Sequence, residues 1–255
     1  MFIVSDVLNF IGKLGGPKFS LKLGMWKIAI RRNFEVEYYK LGTLVPKGLA
    51  ALDIGANEGY YSGRLAQLCP QVFAFEPIPR LADELKRKVP GNVVVHQLAV
   101  SNSVGSATLR IPTFKHAKDF GTATIEAGNL LQDAIDCEIV NCQTVTLDGF
   151  IQGKIGFIKI DVEGHELAVL QGARELILRD RPVLLVESEN RHHGGAPENI
   201  FQFMRGLNYS VFCISQGRLY AVHDFDLALH QNINDMAVGG KNENYINNFI
   251  FLPAL

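Results

Sequence analysis

A chain of 255 residues, 47% hydrophobic and 20% charged, can bury one large α/β core and lacks the composition of a disordered chain. Its 25 Lys and Arg against 26 Asp and Glu leave no global field to recruit nucleic acid or an anionic membrane. Cys69, Cys137, Cys142 and Cys213 show neither CxxC spacing nor scaffold density, so they read as reduced thiols of a cytoplasmic protein without a structural zinc.

The opening MFIVSDVLNFIGKLGG is apolar, but no basic stretch precedes it, Asp6 interrupts it and no small-residue cleavage site follows. It reads as a helical extension, with an interfacial amphipathic helix as the other reading. No run approaches the roughly 20 apolar residues of a membrane span, so stable membrane insertion is not expected. KLGMWKIAIRRNFEVEYYKL is a second helical segment stopped near Pro46, which makes 1–45 a helical N-terminal extension and 46–255 the main domain.

Strand-like runs then appear at 49–54, 72–75, 93–100, 155–160 and 183–187, separated by helical stretches such as YYSGRLAQLC and LADELKRKV. That alternation predicts a mainly parallel sheet with helices on both faces. Residues 106–145 break it with hairpin and loop material, an insertion of the kind that shapes a substrate pocket. YSVFCIS, RLYAVH and NFIFLPAL read as late strands forming an antiparallel C-terminal edge.

The first strand runs into LDIGANEGYYSGRLA, a strand, a glycine-rich turn and a helix start. Gly55 and Gly59 let a ligand approach the backbone, and Asp53 stands at the strand end to orient the loop or hold part of the ligand. The next strand ends in FAFEP, which places Glu76 roughly 20 positions after Gly55, the offset of an acid that accepts from ribose hydroxyls. A dinucleotide fingerprint fails, because Asn57 and Tyr60 stand where it needs glycine or alanine, and no GK[ST] marks a phosphate loop. S-adenosylmethionine has no pyrophosphate and suits the gentler turn.

LDIGANEGYYS, FAFEP, HQLAVSN, TVTLDGF, IGFIKIDVEGHE, LAVLQGARELI and RPVLLVE stand in the order seen in FkbM-type methyltransferases, and the chain resembles that family from about Leu49 to Glu187. The resemblance implies a class I, Rossmann-like methyltransferase fold and S-adenosylmethionine-dependent O-methylation of a sugar, glycolipid or secondary metabolite. It also implies that Asp53, Gly55, Asn57 and Gly59 line the methionine end, that Glu76 holds the ribose, and that Leu98, Ala99 and Val100 lie against adenine. The expected partner is a small-molecule or glycan acceptor rather than nucleic acid, and a homodimer is left open.

Asp161 ends the strand before the tail VEGHE, beside the crevice where open α/β sheets bind ligands. It can accept from the cofactor's ammonium, ligate a divalent ion or orient the acceptor hydroxyl. His165 is the first candidate general base, since an imidazole titrates near working pH; acceptor contact or an ordinary surface histidine are its other readings. Glu163 and Glu166 are explained by the helix dipole at the start of the next helix, with Gly164 turning the chain. A divalent metal is the other route to an activated hydroxyl, with Asp161 and Glu187 as candidate ligands and Glu189 or Asn190 adding oxygen. For His192, His193 and His116 an exposed loop position is the plainer reading, although each can approach an acceptor. An N-methyltransferase lacks its NPPY-type motif here; a silent cofactor-binding module and an NAD-dependent oxidoreductase complete the alternatives.

Overall fold

Pro17 opens the first helix of the described residues because its fixed φ suits a first helical position, and Gly16, at φ 80°, turns the chain into it. The computed structural model describes residues 15–31, 34–114, 117–129, 131, 134–192, 196–215, 217–223, 226–231, 236–237, 240–241 and 245–254. The opening stretch to residue 14, His116 and His193 lie outside them. What reads as one helical segment before Pro46 is two helices, α1 (Pro17–Arg31) and α2 (Val36–Leu44).

The strand-like runs become β1 (Ala50–Ile54), β2 (Val72–Phe75), β3 (Val93–His96), β8 (Ile155–Ile160) and β9 (Val183–Glu187), all paired in parallel. Helices α3 (Tyr60–Leu65), α4 (Pro79–Lys88), α5 (Leu147–Phe150), α6 (Glu166–Gln171), α7 (Arg174–Asp180) and α8 (Ala196–Gly206) connect or flank them. The run at 93–100 does not continue as one strand. It breaks at Gln97 and Leu98, and β4 (Ala99–Val100) pairs instead with β7 (Asp136–Val145) of a second sheet. In that sheet β7 and β5 (Gly105–Phe114) form a long antiparallel ladder, extended by β6 (Ala117–Lys118).

At the C-terminus β10 (Tyr209–Ser215) and β11 (Arg218–Ala221) form the expected hairpin. The last strand, β14 (Asn248–Pro253), is not at the edge: it inserts antiparallel between β9 and β10, giving the order β11-β10-β14-β9-β8-β1-β2-β3. Its Phe249, Ile250 and Phe251 are fully buried, and only a position between two partners gives so apolar a strand cover on both faces. A short α9 (Leu227–His230) and the pair β12 (Met236–Ala237) and β13 (Gly240–Lys241) lie in the connection before it.

The sheet separates two apolar layers. One joins Leu52, Ile54, Ile158 and Ile160 to Val169 and Leu170 of α6, Leu176 and Ile177 of α7, and Ile200 and Met204 of α8. The other joins Ala51, Val72, Ala74 and Phe157 to Leu21 and Ile28 of α1, Tyr38 and Leu41 of α2, Leu65 of α3 and Leu85 of α4, so the two N-terminal helices share the core of the sheet. Each buried Leu, Ile, Val, Phe or Met among them contributes ~1.5–3 kcal/mol. A smaller cluster of Ile78, Leu81, Ala99, Leu109 and Ile111 seals the second sheet onto the first. The chain leaves β1 outward through β2 and β3 and returns to β8 on the other side, so strand order reverses between β1 and β8. A crevice opens at the carboxyl ends of strands at such a point.

Candidate active site

Ile54 and Ile160 pair across that reversal, which brings the turn after β1 against Asp161 after β8. The fit is close: Gly55 has φ +83°, and a Cβ there would lie 1.8 Å from the carbonyl oxygen of Asp161. Gly59 has φ +86°, and a Cβ there would strike Leu85 Cδ1 at 2.2 Å. Both glycines are therefore required by backbone conformation and space. Asn57, at φ 47°, is a residue type that tolerates the left-handed region.

Two lobes open around this turn. The first, a cavity of about 610 Å³, contains Glu76, Leu98, Ala99, Val100 and His165, under a lid formed by Phe120, Gly121, Ala123 and Ile125 of the insertion. The second, of about 640 Å³, contains Asp53, Gly59, Tyr60, Tyr61 and Lys159, with Phe34 and Glu35 from the segment between α1 and α2. Gly55, Asn57 and Asp161 border both. Every residue assigned from sequence to a cofactor thus lines one lobe or the other.

Glu76 is buried, and its two oxygens accept from the N–H groups of Asn57 at 2.8 Å and Ile78 at 2.9 Å. Burial pushes its pKa up to about 7, against the pull of those two N–H donors. Asp53 accepts from Ser62 Oγ at 2.5 Å; burial raises its pKa to about 6, while the Ser62 hydroxyl and Lys159 oppose the rise. Asp161, one third exposed, stands 3.3 Å from the ammonium of the buried Lys159. Burial pulls the Lys159 pKa down, but Asp161, Glu187, Glu35 and Asp53 outweigh it and hold the pKa above the ordinary value. Lys159 also lies 5.0 Å over the Tyr61 ring, whose hydroxyl donates to Glu35 at 2.6 Å. Lys159, Tyr61, Ser62 and Glu35 are site residues that motif spacing does not reveal. A lysine inside the apolar run IGFIKI is the one sequence signal that could have found them.

His165 lines the first lobe and has both ring nitrogens engaged. Nε2 lies 2.9 Å from Ser101 Oγ, and Nδ1 lies 3.2 Å from a Glu126 carboxylate oxygen. A carboxylate only accepts when ionised, so the arrangement favours Nδ1–H toward Glu126 and a bare Nε2 that accepts from Ser101. Proton acceptance from an acceptor molecule would then require Ser101 to yield.

Glu166 is buried and folds back to accept from Gly164 N–H at 2.9 Å, with the Val162 N–H 3.4 Å away. It fastens the turn by direct hydrogen bonds, a more specific role than the dipole account; burial raises its pKa to about 7. Glu163, at φ 53°, borders the first lobe, and burial raises its pKa. Its carbonyl accepts from Thr124 Oγ1 at 2.7 Å and Asn129 Nδ2 at 3.1 Å. His192 is buried, contrary to the exposed-loop reading. Its Nε2 is 2.8 Å from a Glu163 carboxylate oxygen, with the ring turned off the hydrogen-bond direction. The packing reason is Gly164, whose missing Cβ leaves room for His192 Cβ.

Glu187 lines neither lobe and accepts from the Asn247 side chain, which also bonds Glu189 at 2.9 Å. Glu189 is further engaged by Tyr245 and Arg191, and the Asn190 N–H donates to Gln231. Among the described residues no group of three His, Cys, Asp or Glu side chains is arranged to hold a metal. Among them, too, no helix is long and apolar enough to cross a membrane, and all four cysteines are free thiols.

An open sheet reversing beside its first strand, with one antiparallel strand inserted next to the last parallel one, defines the class I, Rossmann-like methyltransferase fold. A crystal structure of methyltransferase FkbM from Methylobacillus flagellatus KT shares it, with a TM-score of 0.50 and 14% identity over 92% of this chain and 54% of that one, so this chain spans about half that relative. The Methyltransferase FkbM domain profile matches residues 53–211, and the chain belongs to that family. It is 30% identical over 183 residues to the hexuronic acid methyltransferase AglP of Haloferax volcanii, covering 71% of this chain and 70% of that protein. It is 29% identical over 164 residues to the methyltransferase sdnD of Sordaria araneosa, covering 51% and 62%.

Proposed function

We propose that this methyltransferase uses S-adenosylmethionine and transfers the methyl group to a hydroxyl oxygen of a sugar, glycolipid or secondary metabolite. The observation that carries the reading is the pair of lobes joined at Gly55, Asn57 and Asp161, with one buried carboxylate in the first. The residues fit the cofactor. Glu76 spends one lone pair of each oxygen on backbone N–H and keeps the others for two ribose hydroxyls. Leu98, Ala99, Val100 and Ile78 supply an apolar wall for adenine. In the second lobe Gly55 and Gly59 leave the backbone bare, and Asp53 and Asp161 offer carboxylates to an ammonium.

When bound, S-adenosylmethionine supplies a methyl on a sulfonium that departs as a neutral thioether. The chain's task is alignment of the acceptor and disposal of one proton. Asp161, where the lobes meet, orients the hydroxyl, and the Lys159 ammonium 3.3 Å away holds that carboxylate in place. His165 takes the proton at Nε2 once Ser101 gives way, and Glu126 holds the ring by Nδ1–H. A sugar acceptor is favoured by the likeness to a protein named for hexuronic acid methylation.

Calorimetry with S-adenosylmethionine, its demethylated product and NAD tests the cofactor: the first two bind and NAD does not. Binding of NAD alone would sink the assignment. A methyl-transfer screen over uronic acids, neutral sugars and amines, with and without chelator, tests the acceptor and the metal route. Turnover confined to amines would replace O-methylation with N-methylation.

A further inference from the structure

Helix α1 has two apolar faces. Leu21 and Ile28 enter the core, and Met25 packs against Gly63 of α3. On the opposite side Phe19, Leu23, Trp26 and Ile30 follow one another at spacings of four, three and four, within a ~60° arc of the helix. Leu23 is half-buried, but Phe19, Trp26 and Ile30 are 42%, 54% and 60% exposed, where a helix packed on a soluble domain normally carries polar residues. Lys18 and Lys22 flank this stripe on one side, Lys27 and Arg31 on the other, and the 15-residue helix contains no acid. A charge-balanced chain therefore concentrates a positive field around an exposed apolar stripe.

Beside the stripe lies a groove of about 890 Å³, lined by Met25, Trp26, Tyr38 and Tyr39, with Lys22 and Arg64 supplying cations. An indole prefers the depth between headgroups and acyl chains. Lysine stems lie along apolar surface while their ammonium groups reach outward to phosphate. A second copy of the chain would bring another basic helix against the first, so like charges would meet across a two-fold contact. We propose that α1 docks the protein peripherally on an anionic lipid surface, with Phe19, Trp26 and Ile30 entering the interface and the flanking bases meeting headgroups. The site is one layer away. Gly24 of α1 abuts the Tyr60 ring, and Tyr60 lines the second lobe with Phe34 and Glu35.

Trp26 is the chain's single tryptophan, so its emission reports on the stripe alone. The full chain is titrated with vesicles of phosphatidylcholine and of phosphatidylcholine with phosphatidylglycerol in equal parts, and vesicle flotation is run in parallel. The expected result is a blue shift and co-flotation with the mixed vesicles only, reversed by salt. Each base near an anionic surface gives about a fivefold factor in partitioning. A Lys18→Gln, Lys22→Gln, Arg31→Gln triple variant should therefore partition ~100-fold more weakly. A Trp26→Ser, Ile30→Ser variant should lose flotation while still binding S-adenosylmethionine. Unchanged emission with both vesicle types overturns the proposal. So does equal binding to pure phosphatidylcholine, or a vesicle-free blue shift that grows with protein concentration alongside a doubled mass, which would assign the stripe to a second copy.

Discussion

Replacing Glu76 by glutamine should stabilise the ligand-free protein at alkaline pH while destroying its affinity for the cofactor. Burial raises the Glu76 pKa from an ordinary 4.5 to about 7, a difference worth roughly 3 kcal/mol. A folded pKa above the unfolded one means stability fully present below pH 4.5 and lost as pH rises through about 7. At pH 8 the wild type carries the whole penalty of an ionised buried carboxylate. Glutamine removes it, but its amide NH₂ must face the N–H of Asn57 or Ile78, which costs ~1–2 kcal/mol. The net gain is ~1–2 kcal/mol, an increase in Tm of about 2–8 °C for a domain of this size. At pH 5, where the wild-type group is protonated, the gain disappears or reverses. Two charge-assisted hydrogen bonds to ribose are lost at any pH where Glu76 ionises on binding, so affinity should fall by about 100-fold or more. Thermal melts at pH 5 and pH 8, with calorimetric titration of S-adenosylmethionine, check both halves. A variant less stable than wild type at pH 8, or one that binds the cofactor undiminished, refutes the reasoning.

Gly55→Ala sets a Cβ 1.8 Å from the Asp161 carbonyl oxygen at φ +83°, so cofactor binding should vanish and stability fall by ~3 kcal/mol or more; melting and titration of the purified variant decide it. Asp161→Asn takes the nearest carboxylate from Lys159, which retains more distant acids, and the pair is partly solvent-screened. The expected cost is ~1–2 kcal/mol of stability, with turnover down ~100-fold and cofactor affinity down by less, because Asp53 still faces the ammonium; equal losses in both would remove its orienting role. His165→Ala should slow turnover about 100-fold, whereas Glu126→Gln, which keeps the ring and changes only its Nδ1 partner, should cost less. A near-normal rate in His165→Ala removes it as the base.

The parallel strands were legible because each is a short apolar run between turn signals, and buried parallel strands have that signature. The break at Gln97 and Leu98 was not legible: VVVHQLAV carries no turn residue, and tertiary pairing with β7 sets it. The place of β14 beside β9 was equally hidden, since apolar runs show which strands are covered but not by whom. In the site, Gly55 and Glu76 were readable from their spacing, a local consequence of one strand–helix–strand unit. Lys159, Glu35 and Tyr61 meet only through packing of distant segments, which no spacing records. His192 was misread because two adjacent histidines beside glycines look like loop, while its burial depends on a glycine in another turn.

The Glu163 carbonyl is held by Thr124 and Asn129, and Arg110 of β5 binds the carbonyls of Glu126 and Asn129 in turn. Lid and turn are therefore one mechanical part, although some 30 to 40 residues of chain separate their contacts. The insertion is therefore not a detachable cassette. Swapped segments that keep hydrogen-bond donors at positions 124 and 129 would preserve the backbone of Glu163 and the placement of His165 two residues later. Segments that lack them would release the Glu163 carbonyl, so a change in the insertion is transmitted to the turn that carries His165.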